Sequence, residues 1–247
     1  VRRPIQRAQD AKCSALVITL DLQILGQRHK DLKNGLSAPP KLTPKTIANL
    51  MTKWTWGLQM LGAKRRDFGN IVGHVEGISD ASSLGAWTAE QFDLSLDWGK
   101  IAKLKEMWGG KVILKGILDA EDAKMAVKVG ADAIVVSNHG GRQLDGALSS
   151  IRMLPQILDA VGGDIEVILD SGIRSGQDVL KALAMGATGT MIGRAYIYGL
   201  GAMGQQGVTT ALEVISKELD TTMALCGERN VSDLGRHNLL IPSDFEG

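Results

Sequence analysis

Apolar residues concentrate in five short runs that predict β-strands. The runs cover residues 15–21, 111–115, 133–138, 165–170 and 189–193. The middle three are almost continuously apolar, which is typical of strands buried on both faces of a sheet. Each run ends in a polar residue or a glycine.

Helical patterns alternate with these runs. Amphipathic stretches follow the last four runs at 120–129, 150–161, 176–185 and 207–223, and another precedes the second run at 98–108. Strand, loop, helix and strand in this order indicate βαβ units and a parallel sheet. The dipeptides Gly130-Ala131 and Gly186-Ala187 end two helices in the same way, which suggests the repeated unit of a barrel.

One stretch interrupts this alternation. About 90 residues separate Asp21 from Lys111, and they hold Pro39-Pro40, a Trp- and Met-rich segment at 49–61, a basic cluster at 64–66 and a Gly/Ser-rich run at 77–85. Loops this long in a compact domain are usually functional or disordered. The sequence predicts a single domain over 1–247 with a long inserted loop at about 26–97.

Five strands are too few to close an eight-stranded barrel. Three more βα units would need about 90 residues, and the chain starts Val1-Arg2-Arg3-Pro4 without an initiator Met. Two α/β architectures therefore stay open. One is an open doubly wound sheet, and the other is the C-terminal part of a barrel whose first strands are not in this chain.

Composition narrows the class of protein. A hydrophobic fraction of 44% with 22% charged residues is typical of a folded globular chain. The net charge of +1 argues against a polyanion-binding surface over the whole protein, so no nucleic-acid partner is predicted. Cys13 and Cys226 lie far apart and outside any ligand cluster, so no metal site is predicted. No apolar run is long enough to predict a membrane-spanning helix.

The residues SNHGGRQLD at 137–145 begin at the end of the third run. Barrel active sites form at the carboxyl ends of strands. His139, followed by two glycines, can face a ligand there, and Arg142 could hold a carboxylate through two parallel hydrogen bonds. The alternative is a loop histidine that caps a helix beside a solvated arginine.

A second group of residues is rich in glycine and arginine. The strings DSGIRSG at 170–176 and IGR at 192–194 resemble a phosphate site, because Gly-rich loops that lead into helix N-termini offer backbone N–H groups. Arg174 and Arg194 would add positive charge. The alternative is a tight turn with a surface arginine.

Two charged residues end predicted strands. Lys115 closes an apolar run, and a buried unpaired charge is costly, so an anion or an electron-rich ring is expected beside it unless its side chain extends to solvent. Asp21 could orient a catalytic histidine and stabilise its charged form, or it could cap a helix. Arg28, on a polar loop, is a weaker candidate.

Together, SNHGGRQLDG, VILKG, DSGIRSG with ALAMGA, IGRA and the early TLD resemble the FMN-dependent α-hydroxy-acid dehydrogenase and oxidase family. The strings occur in the family's order over nearly the whole chain. The segment at 54–74 and the string ILDAEDA are most similar to the bacterial respiratory L-lactate dehydrogenase branch. The resemblance implies a TIM (β/α)8 barrel, of which this chain holds about strands four to eight.

The resemblance also implies residue roles. His139 would be the active-site base with Asp21 as its carboxylate partner, and Arg28 and Arg142 would bind the substrate carboxylate. The flavin would contact the remaining candidates, namely Thr19, Lys115, Ser137, Asp170, Ser171, Gly172, Ile173, Arg174, Gly193 and Arg194. Lys115 would lie near the N1–C2 carbonyl side, and the residues from Asp170 onward would bind the ribityl-phosphate arm.

The implied reaction is the FMN-dependent oxidation of an L-2-hydroxy acid, L-lactate to pyruvate, with electrons passed to a quinone or cytochrome. Transfer of a hydride, or of a proton plus two electrons, fits equally. The alternatives are a hydroxy-acid oxidase that uses oxygen, of the glycolate or mandelate type, and a non-catalytic half-barrel. A phosphate-binding barrel like inosine-monophosphate dehydrogenase also stays open, although such enzymes lack SNHGGRQLD.

The segment at 45–66 mixes tryptophan, leucine and methionine with lysine and arginine. This composition suits an anionic membrane surface. A lid over the barrel mouth or a subunit contact would have the same composition. The resemblance further implies a homo-oligomer, a tetramer, located in the cytoplasm with peripheral contact at the inner face of the cell membrane.

Overall fold

The computed structural model describes residues 2–24, 26, 28–34, 43–63 and 94–245. The chain divides into two compact units, one formed by Val1–Leu22 with Ser95–Gly247 and the other by Gln23–Leu94. The diproline, the basic cluster at 64–66 and the Gly/Ser-rich run at 77–85 lie outside the described residues.

The described part of the two units has nine α-helices and five β-strands, which alternate through most of the first unit. In chain order they are α1 (Arg2–Asp10), β1 (Ala15–Thr19), α2 (His29–Lys33), α3 (Pro44–Met51), α4 (Trp54–Gly62), α5 (Trp98–Trp108), β2 (Lys111–Ile117), α6 (Ala120–Lys128), β3 (Ala133–Val136), α7 (Ser150–Val161), β4 (Glu166–Leu169), α8 (Gly176–Ala184), β5 (Gly189–Thr190) and α9 (Arg194–Leu225). A single 3₁₀ turn at His139–Gly141 follows β3.

The order of the strands decides between the two architectures. Within the described chain, five parallel strands pair in the order β1-β2-β3-β4-β5, so each lies beside the strand that precedes it in sequence. A doubly wound sheet reverses its strand order at a switch point. A barrel instead adds each βα unit next to the previous one. The first unit is therefore an arc of an α/β barrel.

One face of the sheet packs against the helices. Val112 and Leu114 of β2 and Leu169 of β4 are almost fully buried, and they belong to one hydrophobic core with Leu154 and Ile157 of α7. Ile113, between Val112 and Leu114, and Lys115, directly after Leu114, are only partly buried. This alternation follows from the pleat of a strand, which points successive side chains to opposite faces.

Several helices depart from the sequence prediction, because α2, α3 and α4 lie within the predicted loop at about 26–97. The pattern does not predict α1, because Ile5 is its one buried residue. The helix predicted at 207–223 lies in the second part of α9, after the non-helical residues Met203 and Gly204, and the prediction missed the first part, which begins at Arg194. Glycines have low helix propensity, and several of them in this region hide the pattern. At Gly207 a Cβ would stand 1.9 Å from the carbonyl oxygen of Gly199, so two backbone segments touch there.

The second unit contributes α2, α3 and α4. The side chain of Thr43 accepts a hydrogen bond from the backbone N–H of Thr46 and so caps α3. Large apolar side chains of this unit are exposed, among them Trp54 and Leu61, each with 68% of its surface accessible. Of the helices that the structure describes, none combines the length and apolar character needed to cross a membrane.

Candidate active site

Candidate residues gather at the carboxyl end of the sheet. Because the five strands are parallel, their carboxyl ends lie at one edge, where barrel sites form. A cavity of about 500 Å³ lies there. The sequence-predicted residues that line it are Lys115, His139, Arg142, Asp170, Ser171, Gly172, Ile173, Arg174, Gly193 and Arg194.

His139 is paired with Asp21. Its Nδ1 atom lies 3.2 Å from Oδ1 of Asp21, and the two side chains are 24% and 16% exposed. The other carboxylate oxygen of Asp21 is buried and has no hydrogen-bond partner among the described residues. A buried acceptor without a partner is costly, so this oxygen is suited to receive a donor from a bound ligand.

Lys115 has the anion that its burial requires. Its Nζ atom lies 2.7 Å from Oδ2 of Asp170 and donates to Oγ of Ser137 at 2.9 Å. Lys115 and Asp170 are about equally buried, with 15% and 14% of their side chains exposed. A buried charge of this kind is tolerated when it is paired and hydrogen-bonded. The side chain of Lys115 therefore binds an anion and does not extend to solvent.

The loop that carries His139 is held by serine hydroxyls. The backbone N–H of His139 donates to Oγ of Ser137 at 3.1 Å, and that of Gly140 donates to Oγ of Ser171 at 3.0 Å. His139 has a positive φ of 56°, which non-glycine residues adopt rarely. These hydrogen bonds help to hold the loop in that conformation.

The two predicted anion-binding helix ends differ. At α8, Asp178 accepts hydrogen bonds from the backbone N–H groups of Arg174 and Ser175, so a carboxylate of the chain already occupies that end. At α9, the structure gives no side-chain cap within the described residues, and the N-cap is Gly193. Exposed N–H groups at a helix start attract anions, so α9 is the better phosphate site.

Thr19, Asp21 and Ser137 are not among the described residues that line this cavity, although Asp21 pairs with His139 and Ser137 contacts Lys115. Thr19 ends β1 and pairs in register with Lys115 of the neighbouring strand. Arg28 lies in the second unit, immediately before α2.

Sequence reasoning missed two residues of the site. The side chain of Ser150, only 1% exposed, donates to the backbone carbonyls of Asp170 and Ser171. Gly116 has a φ of 104°, and a Cβ there would stand 2.7 Å from Cγ of Asp21. The sequence signal for Gly116 is a glycine after Lys115 in an otherwise apolar run. Ser150 has no signal other than its place at the start of a predicted helix.

The fold and the site define an α/β-barrel protein with a paired histidine beside a cationic cavity. The chain belongs to the FMN-dependent dehydrogenase family, whose sequence profile matches residues 1–241. It is 43% identical over 244 residues to an L-lactate dehydrogenase of Acinetobacter baylyi, an alignment that covers 97% of this chain and 62% of that protein. An L-lactate dehydrogenase of Stenotrophomonas maltophilia is also 43% identical, over 97% of this chain and 63% of that protein.

Solved structures of similar fold include two mandelate enzymes. The monotopic membrane protein (S)-mandelate dehydrogenase superposes with a TM-score of 0.91 at 33% identity, covering 97% of this chain and 63% of that one. A mandelate oxidase superposes with a TM-score of 0.73 at 36% identity, covering 95% of this chain and 58% of that one. The chain thus spans about three fifths of the length of these relatives.

The residues of the cavity fit FMN, the cofactor of the family. The cavity volume of about 500 Å³ lies within the usual range for ligand sites, about 300–1,000 Å³. Arg174, Arg194 and the start of α9 supply the donors that a phosphate needs. A Cβ added at Gly172 or Gly193 would meet no described atom within 4 Å, so the space beside both backbones is open.

Proposed function

We propose that this protein oxidises an L-2-hydroxy acid with FMN, and that L-lactate is the substrate and pyruvate the product. The observation that carries the proposal is the His139–Asp21 pair, 3.2 Å apart, beside a cavity that cationic side chains also line. A positioned base and fixed positive charge are what the oxidation of a hydroxy acid requires. The 43% identity to L-lactate dehydrogenases supports lactate over mandelate.

The base is His139. With Nδ1–H donated to Asp21, Nε2 is the nitrogen that takes the proton of the substrate hydroxyl. The carboxylate of Asp21 then stabilises the positive imidazolium. The pairing also fixes the ring's orientation, because the two side chains are mostly buried.

Arginine side chains hold the substrate carboxylate. Arg142 lines the cavity and can bind a carboxylate through two parallel hydrogen bonds; we assign the same role to Arg28. Binding by the carboxylate leaves the α-hydroxyl as the group presented to the base.

The remaining candidates hold the cofactor, which when bound supplies the two-electron redox chemistry. Arg174, Arg194 and the backbone at Gly193 would bind its phosphate. Asp170, Ser171, Gly172 and Ile173 would bind its ribityl arm. Thr19, Lys115 and Ser137 would contact its ring system, where the positive charge of Lys115 would favour negative charge.

Flavin absorbance tests the proposal directly. The purified chain is loaded with FMN, excess cofactor is removed, and spectra are recorded anaerobically with L-lactate, D-lactate and (S)-mandelate. We expect retained flavin that L-lactate bleaches and D-lactate does not. Retained flavin that only mandelate bleaches would favour the mandelate alternative, and a chain that retains no flavin would favour the non-catalytic half-barrel.

The electron acceptor is tested on the reduced protein. We propose a quinone or cytochrome, because the similar mandelate dehydrogenase is described as a monotopic membrane protein. Mixing the lactate-reduced protein with a soluble quinone should reoxidise the flavin much faster than air does. Faster reoxidation by air would instead assign an oxygen-using oxidase.

We also propose that the segment at 45–66 makes a peripheral membrane contact. Trp54, Leu58 and Leu61 of α4 each have more than half of their surface exposed, at 68%, 61% and 68%, and exposed apolar surface beside lysines favours an anionic interface. The chain should sediment with phosphatidylserine vesicles more than with phosphatidylcholine vesicles. A Trp54→Ser/Leu61→Ser variant should lose this binding, whereas Leu225→Ser, at an 84% exposed position in the first unit, should retain it.

Binding of the double variant equal to that of the unmodified chain would contradict the membrane proposal.

We further propose that the protein has one barrel domain with an insertion at about 26–97, and that it assembles as a tetramer. Sedimentation velocity of the FMN-loaded protein would test the tetramer.

A further inference from the structure

Three consecutive backbone N–H groups around the proposed base donate to serine hydroxyls. Ser171 Oγ accepts from the N–H of Asn138 at 3.3 Å and from that of Gly140 at 3.0 Å. Ser137 Oγ accepts from the N–H of His139 between them. The main chain of His139 is thus held from both sides.

The same two hydroxyls contact the buried ion pair. Ser137 Oγ accepts from Nζ of Lys115 at 2.9 Å, and Ser171 Oγ donates to Oδ1 of Asp170 at 2.8 Å. Oδ2 of Asp170 binds Nζ of Lys115 at 2.7 Å. The hydrogen bonds therefore close a ring through Lys115, Asp170, Ser171, the loop of His139 and Ser137.

The backbone at Ser171 gives independent support. Its φ is 73°, a left-handed conformation that glycine adopts without strain and serine does not. Such strain persists where the surrounding structure requires it. Because glycine would suit this backbone better, the presence of serine indicates that its hydroxyl is needed.

We propose that Ser171 is a positioning residue for the oxidation. Its hydroxyl holds the main chain of His139 in place, and its proton on Oδ1 of Asp170 weakens the hold of that carboxylate on Lys115. Base and cation are thereby positioned by one hydrogen-bonded ring. The inference rests on the proposed function, because it takes His139 as the base and Lys115 as the cation beside the flavin.

Two substitutions separate the hydroxyl from the backbone. Ser171→Gly removes the hydroxyl and relieves the positive φ, whereas Ser171→Thr keeps the hydroxyl and adds β-branched strain. In the FMN-loaded protein we expect Ser171→Gly to lower kcat about tenfold or more with KM changed less than about twofold. Its thermal midpoint should equal or exceed that of the unmodified protein. Ser171→Thr should keep most of kcat despite a lower thermal midpoint.

A merely structural role would make kcat follow stability instead. Normal kcat in Ser171→Gly would overturn the proposal. Ser232→Ala, at an exposed serine of the same unit, is the matched control and should change neither quantity. If Ser171→Thr does not fold, Ser171→Ala replaces it as the comparison, since it lacks the hydroxyl and keeps the strain.

The midpoint potential of the bound flavin tests the ring without any substrate. Without the hydrogen bond from Ser171, the carboxylate of Asp170 neutralises more of the positive charge of Lys115. The midpoint potential of the flavin should therefore be lower in Ser171→Gly. An unchanged potential would overturn the coupling. If L-lactate fails to bleach the flavin of the unmodified protein, the proposed function is wrong, while the potential still decides whether Ser171 couples to the ion pair.

Discussion

The Nδ1 atom of His139 lies 3.2 Å from Oδ1 of Asp21, although 118 residues separate them along the chain. Asp21 follows β1 and His139 follows β3, so strand β2 lies between the strands that carry them. On β2, Gly116 lies beside Asp21, and a Cβ added to this glycine would stand 2.7 Å from Cγ of Asp21. The absence of a side chain on the intervening strand lets the two residues meet.

Replacing Asp21 with Asn should remove most of the turnover. The amide keeps the size of the side chain but cannot stabilise a positive imidazolium. We expect kcat for L-lactate to fall by about 10²- to 10⁴-fold while FMN stays bound. Anaerobic stopped-flow measurement of flavin bleaching would show it.

The matched control for this charge is Asp145→Asn, because Asp145 is exposed and follows the same loop. This variant should react at nearly the rate of the unmodified protein. A bleaching rate in Asp21→Asn within about twofold of normal would remove Asp21 from the mechanism.

Substituting Gly116 with Ala should destabilise the fold and displace Asp21. The φ of 104° strains any residue with a Cβ, and the new methyl group would also contact the carboxyl of Asp21. We expect a loss of about 1–3 kcal/mol in the free energy of unfolding, measured by urea denaturation.

Gly146→Ala separates strain from contact. Gly146 has a φ of 85°, and a Cβ there would meet nothing within 4 Å, so this variant carries only the backbone penalty. Gly116→Ala should lose clearly more stability than Gly146→Ala. Equal losses in the free energy of unfolding would show that the contact with Asp21 does not contribute to the destabilisation.

Replacing Arg174 or Arg194 with Met should weaken FMN binding. Each guanidinium offers charge-assisted hydrogen bonds worth about 1.5–3 kcal/mol, so Kd should rise about 10- to 150-fold. Quenching of flavin fluorescence would measure both constants. Riboflavin lacks the phosphate, and its affinity should change little in either variant.

Arg152→Met is the control for these arginines, since Arg152 lies on α7 and its side chain donates to the carbonyl of Asp244. It should bind FMN normally. Equal losses for FMN and riboflavin in the Arg174 and Arg194 variants would place the phosphate elsewhere.

Glu228 should make stability depend on acid pH. Hydrogen bonds from the side chains of Asn238 and then His237 hold the pKa of Glu228 below its ordinary value of 4.5. The folded carboxyl therefore binds a proton less readily than the unfolded one. Its contribution is present above about pH 4.5 and is lost as the pH falls through the lowered pKa.

Glu228→Gln should accordingly lower the thermal midpoint near neutral pH, and the difference from the unmodified protein should shrink as the pH falls below the ordinary pKa of 4.5 and through the lowered one. Circular dichroism melts across this range would measure it. Glu213→Gln, at an exposed position on α9, is the comparison. A difference for Glu228→Gln that stays constant with pH would contradict the prediction.

The sequence alone determined the five strands, most of the helices between them and most of the candidate residues. Apolar periodicity is a local property, so it marked the five strands and gave α5 and α7 their observed bounds. Polar residues after buried strands pointed to His139, Asp21 and Lys115 for the same reason. Local patterns missed the first part of α9, at 194–202, where glycines hide the helical periodicity.

Only the tertiary structure decided which of these residues meet. Strand order selected the barrel arc over a doubly wound sheet, and it brought Asp170 to Lys115 as the anion that burial required. It also showed that Asp178 occupies the start of α8 and leaves α9 for an anion. Such pairings depend on strand register and on distances of a few ångströms between residues far apart in the chain, and hydrophobic patterning carries no information about either.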